Sequence, residues 1–449
     1  MLDFFNKYIF GVAVPILLFS VGIYYTVILK AFHITKPRAL LKILFSKRTN
    51  NGVSPFRALT LALAGTLGVG NIVGVSAAIC AGGFGSIFWM WVSALCAMIL
   101  KYAEVVLAMR HRRYDKDGTP HGAAMYYIKD IFSSFSLRKL GVGIAGVFAV
   151  LCVINAVTMG GMIQSNAVGD AFFGVFGIDP VLCGAVISIL CVIVISRGTL
   201  YIARLTEILV PLMSAGYVVL SVTVLIIRRD MLPDAISTII SDAFSTDSAA
   251  GGILGFLLSR SIRFGTMRGL ISNEAGCGTA PIAHCSSSCE EAVEQGIWGI
   301  VEVFVDTIVL CTMTALVVAV NFGEINTRTS WLMLTFDAYS NTLGPLASLF
   351  LAVAVLCFGF ATILCWGHYG SESVNYFSTK PKARNLFIAV YCASVFVGAF
   401  SSPEFVWSIA DFAIGGMTLI NVMALTMAKK EIKYETDIYF GNIKTKRKE

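Results

Sequence analysis

Apolar runs of 18 or more residues recur from one end of this chain to the other, each long enough to cross about 30 Å of hydrocarbon as a helix. Hydrocarbon admits two backbone solutions, helices or a closed barrel, because an unpaired peptide group there costs several kcal/mol. The short alternating segments of a barrel are absent from the sequence. The expected fold is therefore all-α and polytopic, with eleven membrane segments at about 9–29, 54–80, 84–109, 143–166, 180–196, 205–227, 250–272, 296–320, 343–367, 385–401 and 404–428. Composition agrees: 14% of residues are charged, against about a quarter in soluble domains. The first run is too long for a signal-peptide core and leads into Lys30, Phe32 and His33 rather than a small-residue cleavage site, so it reads as a retained helix. The connection from Val320 to Asn341, with Glu324, Arg328 and Asp337, reads as an extramembrane loop with room for a short helix.

Lys and Arg are distributed unevenly. Of 34, 26 fall on one set of connections (Lys30 to Arg57, Arg110 to Lys139, Arg197 and Arg204, Lys380 to Arg384, and the tail from Lys429), and four on the other. The positive-inside rule then places the N-terminus outside and the C-terminus in the cytoplasm of a cell-membrane protein. The net charge of +7 follows from topology and anionic lipid, with no need of nucleic acid. The twelve cysteines are scattered, mostly within apolar runs, in spacings that suit neither a disulfide framework nor a zinc site.

Two segments are poor helices for their depth. The second carries Gly65, Gly68, Gly70 and Gly74 with Asn71 among them, and the seventh carries Gly265 and Gly269 among Arg260, Arg263 and Arg268. They lie five segments apart and run in opposite directions, as two inverted repeats of five helices require. The expected organisation is one transporter domain over 1–449, with an extra N-terminal helix at 9–29, a first repeat at 54–227, a second at 250–428 and a cytoplasmic tail at 429–449. A broken helix offers free N–H groups to a carboxylate and released carbonyls to a cation. Asn71 adds a neutral amide oxygen, a hard ligand suited to Na⁺. Close packing through Gly68 and Gly74 is the competing use of the glycines.

Five stretches, "TLGVGNIVGVSAA", "GGFGSIFWMWVSALCAMILKYAEVVLAMRHR", "GGMIQSNAV", "RGLISNEAGCGTAPIAH" and "TILCWGHYG", together resemble the alanine/glycine:cation symporter family, in order from about Gly52 to Asn421. The resemblance implies a sodium-coupled importer of small neutral amino acids (proton-coupled in some members) built on the leucine-transporter-type inverted repeat. Val69 departs from the family pattern, in which Thr is common between the two glycines.

What the resemblance implies for the site is specific. Asn71 would bind sodium and wall the amino-acid pocket; the Ala64 and Leu67 carbonyls with the Thr362 hydroxyl would hold a second sodium. Gly68, Gly70, Gln164, Phe264, Met267, Thr362 and Trp366 would border the substrate. Alternatives stand beside these roles: a back-bond to Phe358 for Thr362, an interfacial belt position for Trp366, and an interhelical hydrogen bond for Gln164. Arg260, Arg263 and Arg268, costly at membrane depth, are expected at gates (Arg263 and Arg268) or in salt bridges with Glu302, Asp306 or Asp411, with a contact to the substrate carboxylate as the alternative for one of them. Glu274 is expected to pair across the inner gate or cap a helix. Lys101 and Glu104, at i,i+3 near a helix end, are expected to form a local pair with a snorkelling lysine. The expected partners are a small neutral amino acid, Na⁺ and the bilayer, with no other cofactor. An enzyme would need clustered nucleophiles or metal ligands, and the five histidines form no such set.

Overall fold

The computed structural model describes residues 4–44, 53–115, 118, 120–244, 260–322 and 331–445. Among these the molecule is helical apart from one two-stranded ribbon, β1 (Arg113–Tyr114) and β2 (Pro120–His121). Seven helices are long and apolar enough to cross a membrane: α1 (Tyr8–Ile28), α4 (Gly85–Arg110), α6 (Arg138–Phe176), α8 (Thr199–Ile227), α12 (Ala292–Asn321), α14 (Pro345–Phe377) and α16 (Glu404–Met427). An eighth span is α2 (Pro55–Thr66) with Val69–Gly82, bent by 63° at Leu67 and Gly68; its second part is a 3₁₀ turn (Val69–Asn71) followed by α3 (Val73–Gly82). The expected segments at 180–196 and 385–401 are the shorter α7 (Pro180–Ile195) and α15 (Pro381–Gly398). Several helices outrun their apolar stretches, because once begun a helix satisfies its own peptide groups in lipid or water alike.

The seventh segment differs from expectation. Its first part lies outside the described residues, and α10 (Arg260–Asn273) runs unbroken through Gly265 and Gly269. A Cβ on Gly265 would stand 2.2 Å from the Ser86 carbonyl oxygen, and one on Gly269 would stand 2.9 Å from Ser93 Oγ. Those glycines therefore let α10 lie close on α4, the packing use of small residues. The interruption follows them, from Glu274 to Thr279, before the short α11 (Ala280–His284). Glu274 (φ 51°), Gly276 (84°) and Gly278 (78°) turn the chain there in the left-handed region.

Of two further helices, the first was not legible as such and the second was expected only as a short helix within a loop. The amphipathic α9 (Leu232–Ala243) caps α4, with Asp242 Oδ2 accepting from the Gly85 N–H. The connection from Val320 to Asn341 is described only in part, and its second half is α13 (Trp331–Leu343), packed on α3 and α14 rather than looping free. The last described helix is α17 (Lys429–Thr445), held to α4 by the Tyr102–Thr436 hydroxyl pair.

The helix ends sort onto two faces. On one, Val53 bridges Ser287, Arg112 donates to the Ser287 carbonyl, and Arg113, Thr199, Pro381 and Arg384 line one cavity. On the other, Asn6 donates to Ser408, Ser261 to the Gly82 carbonyl, and Asn166 to the Ser401 carbonyl. The basic connections after α4, α7 and α14 thus share the face that bears α17.

Candidate functional site

The first break is built by a loss of helical bonding. The Gly68 N–H turns back to the Thr66 carbonyl (2.8 Å) and the Val69 N–H reaches Gln164 Oε1 on α6 (3.0 Å). The i−4 carbonyls of Ala64 and Gly65 are thereby released, and the Ala64 oxygen accepts instead from Thr362 Oγ1 on α14 at 2.8 Å. Gly68 is needed because a Cβ there would stand 2.7 Å from Gln164 Oε1 and 2.9 Å from Thr362 Oγ1. Gln164 is itself held by the Met159 carbonyl, in a π-helical turn of α6 (Ala156–Met162). Such turns recur at functional sites because they free a carbonyl.

One turn further, Asn71 Nδ2 donates to Asp306 Oδ1 (2.8 Å) and to the Asp306 carbonyl (3.1 Å). Asp306 lies in a second π-helical turn, Phe304–Cys311 of α12. Its carboxylate also accepts from Ser272 Oγ (2.9 Å) and Thr307 Oγ1 (2.7 Å), and is fully buried. Among the described residues no Lys, Arg or His lies within ion-pair distance of it. Asn71 Oδ1 is buried without a hydrogen-bond partner, which leaves one hard oxygen free beside an acid. The Asn71 carbonyl is taken by Thr314 Oγ1.

Two cavities approach from opposite faces. One of about 460 Å³ opens beside Asn6 and Ser408 and descends between Asp170, Trp407 and Asp411 to Val69 and Val73 at the break. Trp331 and Trp407 line it, and the Arg268 guanidinium lies over both rings (5.5 and 4.8 Å), with Asp411, also in the lining, as its neighbouring acid. The other cavity, about 600 Å³, lies on the α17 face among Arg113, His121, His368 and Glu372, and its lining includes none of the break residues.

Ala64, Gly68, Gln164 and Thr362 therefore converge, with Asn71 on the adjoining turn. Thr362 bonds across to Ala64, not back to Phe358. Trp366 is not interfacial: it is wholly buried, against Gly160 and the Tyr369 ring, just beyond Thr362. Gly70 faces Ser272, whose Cα would be 3.8 Å from an added Cβ. Leu67 occupies the turn itself (φ −77°, ψ 62°), and Met267 is buried on α10.

Four expectations need correction. Phe264 packs at the far end of α3 against Gly82, with the Arg263 guanidinium over its ring, because the helix it sits on does not break there. Arg263 lies against Gly11 of α1. Glu274 accepts from Thr279 Oγ1 inside its own bend, and among the described residues no cation pairs with it across a gate. Lys101 does not snorkel: it is fully buried and pairs with Glu302 (3.3 Å), whose other oxygen takes His284 Nε2 (2.9 Å). Asp306 was expected only as a partner for an arginine. Its lone position in an apolar run was the signal, since an intramembrane acid marks a site by default.

The fold is that of the leucine-transporter-type secondary transporters. A sodium-coupled sialic acid symporter superposes with a TM-score of 0.55 at 16% identity, covering 93% of this chain and 87% of the other. MhsT, crystallised with L-phenylalanine, gives 0.55 at 15%, covering 87% and 93%. The family profile for the sodium:alanine symporters matches residues 1–449, and the chain belongs to that family. It is 34% identical to the sodium/alanine symporter AgcS of Methanococcus maripaludis over 97% of this chain and 95% of that one. It is 31% identical to the probable sodium/glutamine symporter GlnT of Bacillus subtilis, over 95% and 87%. The protein is a multi-pass membrane transporter, not an enzyme.

Proposed function

We propose that this chain imports a small neutral amino acid, alanine or glycine, together with Na⁺ by alternating access. The observation that carries this is the Asn71–Asp306 contact: a buried carboxylate with no cationic partner among the described residues, beside an unpaired amide oxygen and a broken helix. A buried charge left unpaired is strongly unfavourable, so a cation entering there neutralises it. Asn71, the Ala64 and Leu67 carbonyls and Thr362 are the proposed sodium ligands, with Asp306 as counter-charge. Gly68, Gly70, Asn71, Gln164, Met267, Thr362 and Trp366 are the proposed walls of the amino-acid site.

The cavity that reaches Val69 opens on the face opposite α17. With the basic α17 face in the cytoplasm and the N-terminus outside, this is an outward-open arrangement. Arg268, held by two tryptophans and facing Asp411, is the proposed outer gate. The residues 54–227 and 250–428 are the proposed inverted repeats, each beginning with a broken span. Titrating purified protein with alanine in Na⁺ and then in K⁺ tests the reading. Binding that needs Na⁺ supports it; equal affinity in both salts refutes sodium coupling, and a response to protons alone would leave proton coupling in its place.

A further inference from the structure

Beneath the second break lies a group of buried charges that the transport site does not use. Lys101 and Glu104 of α4, Glu274 of the bend, and Glu302 of α12 are all wholly buried. Lys101 is matched by Glu302. His284 sits between the other Glu302 oxygen, 2.9 Å from its Nε2, and Gln295 Nε2, 2.7 Å from its Nδ1. Among the described residues no cation lies within ion-pair distance of Glu104 or Glu274.

Glu104 is bonded unevenly. Its Oε1 accepts from the Gly278 N–H (2.9 Å) and from Asn421 Nδ2, whereas Oε2 is buried with no hydrogen-bond partner. Asn421 in turn donates to the Gly276 carbonyl (2.9 Å) and accepts from Tyr127. One double acceptor and one bare oxygen is the pattern of a neutral carboxylic acid, with its carbonyl at Oε1 and its hydroxyl at Oε2. Ionised, the bare oxygen would be a buried, unsolvated charge. The other titratable groups around this site are Cys277 in the bend, Tyr127 on α5 (Ala124–Ser134), Cys152 on α6, Cys365 and Tyr369 on α14, and Asp306 on α12. None of them supplies a positive charge.

We propose that Glu104 is a proton-binding site that fastens the second break, loaded from the α17 face each time that half of the molecule seals. In the sealed form Oε1 of the neutral acid clamps Gly278 directly and Gly276 through Asn421. When the half opens and water reaches Oε2, the proton leaves to the solvent and the carboxylate is hydrated. Resealing requires the same proton back from the same side, so the site gates return of the carrier without moving a proton across the membrane.

Two measurements test this. Infrared difference spectra of the purified protein at neutral pH should show the lowered carbonyl stretch of a protonated carboxyl whose C=O accepts two hydrogen bonds; Glu104→Gln should remove that component and Glu274→Gln should leave it. Absence of the band in the parent protein, or its survival in Glu104→Gln, overturns the proposal whatever the substrate is. The second arm rests on the proposed import function. In right-side-out vesicles, Na⁺-driven alanine uptake should fall by about tenfold per unit of internal pH once the acid is titrated. Glu104→Gln, which keeps the acceptor and cannot ionise, should flatten that profile, and an unchanged profile overturns the proposal. Parent vesicles that take up no alanine at any pH would sink the import reading, and the infrared band would still decide the proton site.

Discussion

Asn71 Nδ2 stands 2.8 Å from Asp306 Oδ1, joining the break between α2 and α3 to the π-helical turn of α12. In the proposed cycle this contact keeps the carboxylate in place while Asn71 Oδ1 stays open for sodium. Asn71→Ala should abolish Na⁺-dependent alanine uptake with protein still in the membrane. Asp306→Asn should keep the Asn71 contact through its amide oxygen, lose the acceptor facing Ser272 and Thr307, and weaken apparent Na⁺ affinity by about tenfold or more, the effect of losing roughly 1.4 kcal/mol of attraction. Uptake kinetics against Na⁺ concentration check both, and unchanged kinetics in Asn71→Ala count against the site.

Gly68 and Gly74 lie in the same interrupted span with opposite surroundings. A methyl at 68 meets Gln164 and Thr362 below 3.0 Å, whereas one at 74 meets nothing within 4 Å. Gly68→Ala should therefore displace Gln164 from the Val69 N–H, cost about 1–3 kcal/mol of stability and remove most uptake. Gly74→Ala should be tolerated, or stabilise α3 by about 0.5–1 kcal/mol. Parallel melting and uptake measurements separate a packing role from a site role for the first glycine.

The contrast between those glycines shows what the sequence can carry. Spans were legible because hydrocarbon forces every peptide group into a helix, and the first break because Asn71 sits among glycines with no packing reason to be there. Gly265 and Gly269 looked the same on paper but let α10 approach α4. The real second bend turns at Glu274, whose positive φ a glutamate does not advertise, together with Gly276 and Gly278, which lie beyond the expected end of the seventh segment. Lys101 beside Glu104 read as a local pair, since nothing in the sequence joins residue 101 to Glu302, and that contact exists only once α4 and α12 pack.

The Lys101–Glu302 pair should be structural. Removing one partner leaves a charge buried and unmatched, at about 3–5 kcal/mol, whereas replacing both with apolar groups of similar volume is close to neutral. Glu302→Gln should lower the melting temperature of the detergent-solubilised protein, and Lys101→Met combined with Glu302→Leu should recover part of the loss. A double variant no better than the single would instead point to His284, which loses its Glu302 acceptor in both.

His121 on β2 ties the ribbon to the end of α14, bonding Glu372 at 2.8 Å through Nδ1 and Asp115 at 2.9 Å through Nε2. The hydrogen bond and charge of Glu372, reinforced by Asp115 and opposed by partial burial, raise its pKa from 6.5 to about 9. Because the folded value lies above the unfolded one, this stabilisation is complete below about pH 6.5 and is lost as pH rises through about 9. The melting temperature should therefore decline across that window. His121→Gln, which keeps the bulk and one hydrogen bond but no charge, should lower it at acidic pH and remove that part of the slope. The decline should persist at high ionic strength, since both contacts are hydrogen-bonded and short compared with the screening length. A slope unchanged by the substitution would mean that other groups on this face set the alkaline limit.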